Sequence, residues 1–155
     1  MKMTQNELAP NEEAPTERQN SIDVNTDSQS IVVNAPAAEV YHCCLRFEDL
    51  PRFITSITKV DRIDDTRFSC TSIINGGEVI SEVQIIMRVP DRRIAWQAVS
   101  DNFRVGVVFF DPLFGGTTKV NVKVRSIVEP MVLTEALRRY LRNFKVYVES
   151  GGSRK

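Results

Sequence analysis

Residues 77–99, GEVISEVQIIMRVPDRRIAWQAV, decide the fold because hydrophobic and polar side chains alternate on both sides of a turn. A period of two residues is that of a β-strand, whose successive side chains point to opposite faces of a sheet. Pro90 and Asp91 are typical turn residues, and Arg92 and Arg93 then start the second strand at its solvent edge. The charges are therefore interpreted as the corner of a hairpin that directs Trp96 into the interior.

Five other segments also have strand-like patterns. They lie at 24–33, 57–63, 67–74, 103–110 and 119–128. The connections at 64–66, 75–77 and 111–118 are short, so consecutive strands are predicted to pair as an antiparallel meander. Asp64 and Asp65, a carboxylate pair by sequence, are interpreted as turn residues.

Three segments have helical patterns. Asn34 is predicted to cap a helix of about ten residues. Residues 47–53 are predicted to form a second, short helix. Residues 132–150 form an amphipathic helix that Gly151 and Gly152 end. The fold class predicted is α+β: one curved antiparallel sheet whose apolar face only the last helix is long enough to cover. The apolar stripe of the first helix consists of Ala37, Val40, Tyr41, Cys44 and Leu45, with Cys43 away from it.

Size and composition predict one domain at 25–150, preceded by a disordered acidic tail at 1–24 and followed by a flexible end at 151–155. The chain has 155 residues, of which 42% are hydrophobic, and its 20 basic residues balance 20 acidic ones. No net positive charge attracts nucleic acid. No secretory signal or membrane-spanning run is recognised, so the expected location is cytoplasmic. The three cysteines, two of them adjacent, are interpreted as thiols in the reduced state whose main role is packing.

Catalytic and metal-binding patterns are weak. His42, the only histidine, lies off the apolar stripe of its helix, and no nucleophile is flanked by a base and an orienting acid. No catalytic residue, metal ligand or cofactor is therefore predicted.

Five motifs carry a resemblance to a known family. They are VNAPAAEVY at 33–41, FEDLPRFITSITKV at 47–60, DDTRF at 64–68, VPDRRIAW at 89–96 and GVVFFDPL at 106–113. In this order they resemble the polyketide cyclase/dehydrase and lipid-transport group of the START-like, Bet v 1-like (SRPBCC) superfamily, to which coenzyme-Q-binding START-domain proteins are related. The resemblance implies a helix-grip fold, in which seven strands wrap around the C-terminal helix and two short helices follow the first strand.

It also implies a function, the binding or transport of a hydrophobic small molecule such as a lipid, quinone or polyketide between sheet and helix. Two alternatives remain open: a polyketide cyclase or dehydratase in which Tyr140 or a serine assists proton transfer, and a protein-interaction module with a filled core. Strand parity and the helix stripe predict which side chains face inward, where they either pack as a solid core or line a cavity. The resemblance implies a cavity, so the predicted ligand-binding set is Phe53, Phe68, Ser72, Ile74, Ser81, Val83, Ile85, Met87, Trp96, Phe110, Val122, Leu137, Tyr140, Leu141 and Phe144.

The strand at 103–110 is apolar on both faces, unlike its neighbours. Its outer residues are Phe103, Val105, Val107 and Phe109. Because such a strip exceeds scattered exposure, a homodimer through this face is predicted.

Overall fold

The structure, a computed structural model, describes residues 24–99 and 104–152. It contains a seven-stranded antiparallel sheet in the order β1-β7-β6-β5-β4-β3-β2. The strands are β1 (Asn25–Val33), β2 (Ile57–Arg62), β3 (Arg67–Ile74), β4 (Gly77–Val89), β5 (Arg93–Ala98), β6 (Val105–Leu113) and β7 (Thr117–Ser126). The helices are α1 (Ala37–Cys44), a 3-10 helix (Phe47–Arg52) and α2 (Pro130–Glu149). The predicted α+β helix-grip fold is confirmed. The tail predicted at 1–24 lies, except for Val24, outside the described residues.

Helix α2 covers the inner face of the sheet. Its buried residues recur every three or four positions, which places them on one side of the helix: Leu133, Leu137, Leu141, Phe144, Tyr147 and Val148. Full burial of a side chain of this size contributes about 1.5–3 kcal/mol. The helix begins at Pro130, two residues earlier than predicted, because proline fits the first turn of a helix.

The hairpin turns follow the predicted chemistry. Asn75 and Gly76 have φ values of 52° and 80°, as a two-residue turn between twisted strands requires. Asp91 also has a positive φ, 63°, and Arg92 donates its N–H to the Val89 carbonyl at 2.9 Å. The predicted turn at 111–118 is longer than the observed one. Strand β6 continues to Leu113, which pairs with Thr117 at the start of β7.

Helix α1 differs from its prediction in two ways. Asn34 does not cap it; Pro36 occupies the N-cap position, and the Asn34 N–H donates to the Glu149 carboxylate at 2.7 Å. Cys43 is buried, 3% exposed, because Gly152, which follows α2, packs against that side of α1. Gly152 is buried there as well, so this part of the predicted flexible end at 151–155 packs against the domain, whereas 153–155 lie outside the described residues.

The turn between β2 and β3 gives a testable pH dependence. Backbone N–H donation from Thr66 and the Arg67 guanidinium lower the pKa of Asp64 to about 2. Its charge therefore stabilises the fold above pH 4, near the ordinary pKa of aspartate, and this contribution is lost as pH falls towards 2. We expect urea unfolding to show Asp64→Asn less stable than the wild type at pH 6, with the difference much smaller at pH 2. Asp65→Asn, which removes an exposed charge from the same turn, serves as the control; a difference for Asp64→Asn as large at pH 2 as at pH 6 would contradict the assignment.

Candidate ligand-binding cavity

A cavity of about 370 Å³ lies between the inner face of the sheet and α2. Its wall is made by β3 to β7, by the segment that contains the 3-10 helix, and by α2. Most lining side chains are aliphatic or aromatic, and the polar ones are cysteines, serines, Tyr140 and Arg104. This volume and composition are those of sites for small hydrophobic molecules.

Most of the predicted ligand-binding residues line this cavity. They are Phe53, Phe68, Ser72, Ser81, Val83, Ile85, Trp96, Val122, Leu137, Tyr140, Leu141 and Phe144. The structure thus brings them together around one space, and their contact with a ligand remains a prediction.

Three predicted residues lie elsewhere. Ile74 is 50% exposed because it ends β3 at the hairpin tip, opposite Gly77. Met87 is 45% exposed because a β-bulge after Ile85 shifts the register and ends the alternation on which its placement depended. Phe110 is completely buried and packs edge-to-face on Tyr41 of α1, so it fills the core instead of lining the cavity.

Trp96 occupies its position in the wall because β6 carries a glycine opposite it. Trp96 pairs with Gly106 across the two strands. A Cβ atom at 106 would lie 2.8 Å from the indole Nε1 and closer still to two ring carbons. The missing side chain therefore leaves the space in which the indole lies.

Arg104 is the lining residue of greatest interest that the sequence did not indicate. It is the only charged side chain among the described residues of the wall, and its guanidinium donates to the Ser81 hydroxyl at 3.1 Å. A signal was present, because Arg104 shares inward parity with Gly106 and Val108 on the next strand positions. Hydrophobic side chains of the strand outweighed that signal. Other unpredicted lining residues, including Leu50, Ile54, Val124 and Leu133, extend the apolar surface.

Several other hydroxyl groups of the wall bond within the protein. The Tyr140 and Ser56 hydroxyls lie 3.2 Å apart, and the Ser126 hydroxyl accepts the Val128 N–H at 3.1 Å. Hydrogen bonds within the protein therefore engage the hydroxyl groups of both Tyr140 and Ser81. Ser72 makes no side-chain hydrogen bond to the described residues.

Two cysteines contribute apolar surface to the cavity. Burial raises the pKa of Cys44 to about 12 and that of Cys70 to about 11, although the Arg104 charge acts in the opposite direction on Cys70. Both thiols therefore stay protonated and weakly nucleophilic at neutral pH. No group of three or more metal-ligating side chains occurs within 24–99 and 104–152.

A second depression, of about 500 Å³, lies outside the core between the 3-10 helix and the end of α2. Its polar groups bond to the protein itself: Tyr147 donates to Asp49 at 2.7 Å, and Asn143 donates to the Phe53 carbonyl at 3.1 Å. Although larger, it is lined by few apolar side chains, and the inner cavity is the better candidate site.

The predicted dimer strip on β6 is partly covered. Val105 is 39% exposed, Val107 and Phe109 are half-buried, and the Arg93 guanidinium lies 5.7 Å from the centre of the Phe109 ring. Phe103 lies outside the described residues. The homodimer remains a prediction. In the part of the chain that the structure describes, no helix has the length and apolarity needed to span a membrane.

Comparison with known proteins agrees with this architecture. No family model matches the chain. An uncharacterised 17.2 kDa protein from the melC2-rnhH intergenic region of Streptomyces lincolnensis is 26% identical over 134 residues, which are 80% of this chain and 89% of that protein.

Solved structures show the same fold. DR_A0006 from Deinococcus radiodurans is 26% identical, with a TM-score of 0.67 over 82% of this chain and 99% of its own. A START superfamily protein from Mycobacterium smegmatis is 18% identical, with a TM-score of 0.68 over 81% and 97%. The di-domain ARO/CYC protein BexL of the BE-7585A biosynthetic pathway is 22% identical, with a TM-score of 0.65 over 81% and 46%. With its seven-stranded sheet and long C-terminal helix, the chain has the START/Bet v 1-like (SRPBCC) fold that its motifs resemble.

Proposed function

We propose that this protein binds or transports a hydrophobic small molecule of the lipid, quinone or polyketide type in the cavity between the sheet and α2. The observation that supports this most is the space itself, about 370 Å³ walled mainly by apolar side chains. A close-packed interior leaves few voids larger than a water molecule, so a space of this size beneath α2 favours a role in binding a ligand. An interaction module with a filled core, the second alternative, does not account for it.

The affinity of such a site comes chiefly from the burial of apolar surface. Each square ångström removed from water contributes roughly 25 cal/mol before the costs of association are subtracted. Phe53, Phe68, Trp96 and Phe144 supply large faces to this wall. Shape and volume therefore select the ligand, and the few polar groups orient it.

Native mass spectrometry of the purified protein tests the proposal. We expect the wild type to carry an added mass that organic extraction removes and identifies. Val122→Phe, which places a larger side chain in the cavity wall, should abolish the adduct. Val132→Phe, the same change at a position 56% exposed on α2, should retain it. An adduct that survived Val122→Phe would contradict binding at this site.

An enzyme of the cyclase or dehydratase type is the second candidate. It is favoured by the structural likeness to an ARO/CYC protein and by the hydroxyl pair of Tyr140 and Ser56 in the wall. The extracted molecule distinguishes the two functions. A ligand that rebinds and is recovered unchanged supports binding, whereas its conversion to a cyclised or dehydrated product supports catalysis.

A further inference from the structure

We propose that the natural ligand carries a carbonyl group, whose oxygen accepts hydrogen bonds from the hydroxyls of Ser56, Ser72 and Tyr140 in the cavity wall. The inference rests on the proposed function and narrows its ligand to ketone-like or quinone-like molecules rather than plain hydrocarbons. Its basis is the grouping of these three hydroxyls on one part of a wall that is otherwise mainly apolar.

The sheet and the last helix bring the three residues together. Ser56 immediately precedes β2, and its carbonyl accepts the Ile73 N–H of β3 at 3.0 Å. Ser72, the neighbour of Ile73, pairs with Ile57, the residue that follows Ser56. Tyr140 reaches the same place from α2, where its hydroxyl lies 3.2 Å from that of Ser56. All three residues line the cavity, so their hydroxyls are open to a ligand there.

The hydrogen bonds within the protein leave two of the hydroxyl protons without an acceptor. The bond between Ser56 and Tyr140 uses one of their two O–H protons, whichever group donates, and the other proton has no acceptor among the described residues. Ser72 supplies a second such proton, because its side chain makes no hydrogen bond to the described residues. A carbonyl oxygen has two lone pairs and can accept from two hydroxyls at once.

The apolar surroundings make these hydroxyls important for a ligand with a carbonyl group. Leu137, Leu141 and Phe144 line the cavity on the turns of α2 next to Tyr140. A carbonyl group gives up its hydrogen bonds to water when it enters such a wall, and the hydroxyls replace them. A hydrocarbon makes no hydrogen bond to these groups. The hydroxyls are therefore expected to raise the affinity for a ketone without raising that for a hydrocarbon.

The test compares 2-decanone with decane, which share a ten-carbon chain and differ in one carbonyl group. Both probes are volatile, so gas chromatography of the headspace above a protein solution measures the unbound fraction. We expect Ser72→Ala to weaken 2-decanone binding about fivefold, the effect of one neutral hydrogen bond, and to leave decane binding unchanged. The double variant Ser56→Ala with Tyr140→Phe removes the other free proton and should have the same selective effect, so it replaces Ser72→Ala if that variant fails to fold.

Matched controls remove the same groups outside the cavity. Tyr147→Phe removes a tyrosine hydroxyl of α2 that donates to Asp49, and Ser28→Ala removes an exposed serine hydroxyl of β1. Neither control should change either affinity. If wild-type protein binds both probes and the cavity variants keep their ketone affinity, or lose both affinities equally, this inference is overturned and the proposed function stands. Wild-type protein that binds neither probe would overturn both.

Discussion

Replacement of Phe110 by alanine is expected to lower the free energy of unfolding by about 3–5 kcal/mol, the cost typical of removing a fully buried phenylalanine. Phe110 is 0% exposed, and its ring packs edge-to-face on Tyr41 with centroids 5.8 Å apart. The variant loses this burial and leaves a void between β6 and α1. Urea unfolding followed by far-ultraviolet circular dichroism measures the change.

Phe114→Ala is the matched control. It makes the same substitution four residues further along the chain, where the side chain is fully solvent-exposed, and should change stability by less than about 0.5 kcal/mol. Under native conditions the folded Phe110→Ala protein should keep its ligand affinity, since Phe110 does not line the cavity. A small loss of stability combined with weaker ligand binding would instead place Phe110 in the cavity wall.

Phe110 also marks the limit of what strand parity can predict. Parity assigns Phe110 and Trp96 to the same inner face of the sheet, and both assignments hold. Whether an inward side chain fills the core or borders a cavity depends on the helix that covers it. Tyr41 of α1 closes over Phe110, whereas the end of the sheet that carries Trp96 faces α2 across an open space. That difference arises from the assembly of distant segments, which no local pattern contains.

The sheet itself could be predicted because its signals are local. Alternation and turn residues such as Asn75 and Gly76 specify strands and their order, since short hairpins leave few other pairings. The bulge that exposes Met87 carries no such signal, because Ile85, Ile86 and Met87 are all apolar and their sequence does not show which of them faces the core. Arg104 is the opposite case. Its parity points to the inner face, but an arginine beside an apolar strand usually lies at the solvent edge, so the pattern does not predict it as a lining residue.

Gly106→Ala is expected to displace the Trp96 indole and to lower the free energy of unfolding by about 1–3 kcal/mol, the usual cost of an added group in a packed region. The new Cβ would overlap the ring, so either the indole or β6 must move. Because Trp96 is the only tryptophan, its emission maximum and near-ultraviolet circular dichroism report the displacement. A displaced indole enters the cavity, so affinity for a hydrophobic probe should fall as well.

Two controls separate this steric effect from a general cost of replacing glycine. Gly77→Ala adds the same methyl group to β4, where the nearest atom, the Ile74 carbonyl oxygen, is 3.7 Å away and nothing needs to move. It should leave Trp96 emission unchanged. In the double variant Gly106→Ala with Trp96→Phe, the smaller ring leaves room for the methyl group, so the double variant should be more stable than the sum of the two single changes predicts. Additive losses would mean that residue 106 and the ring do not compete for the same space.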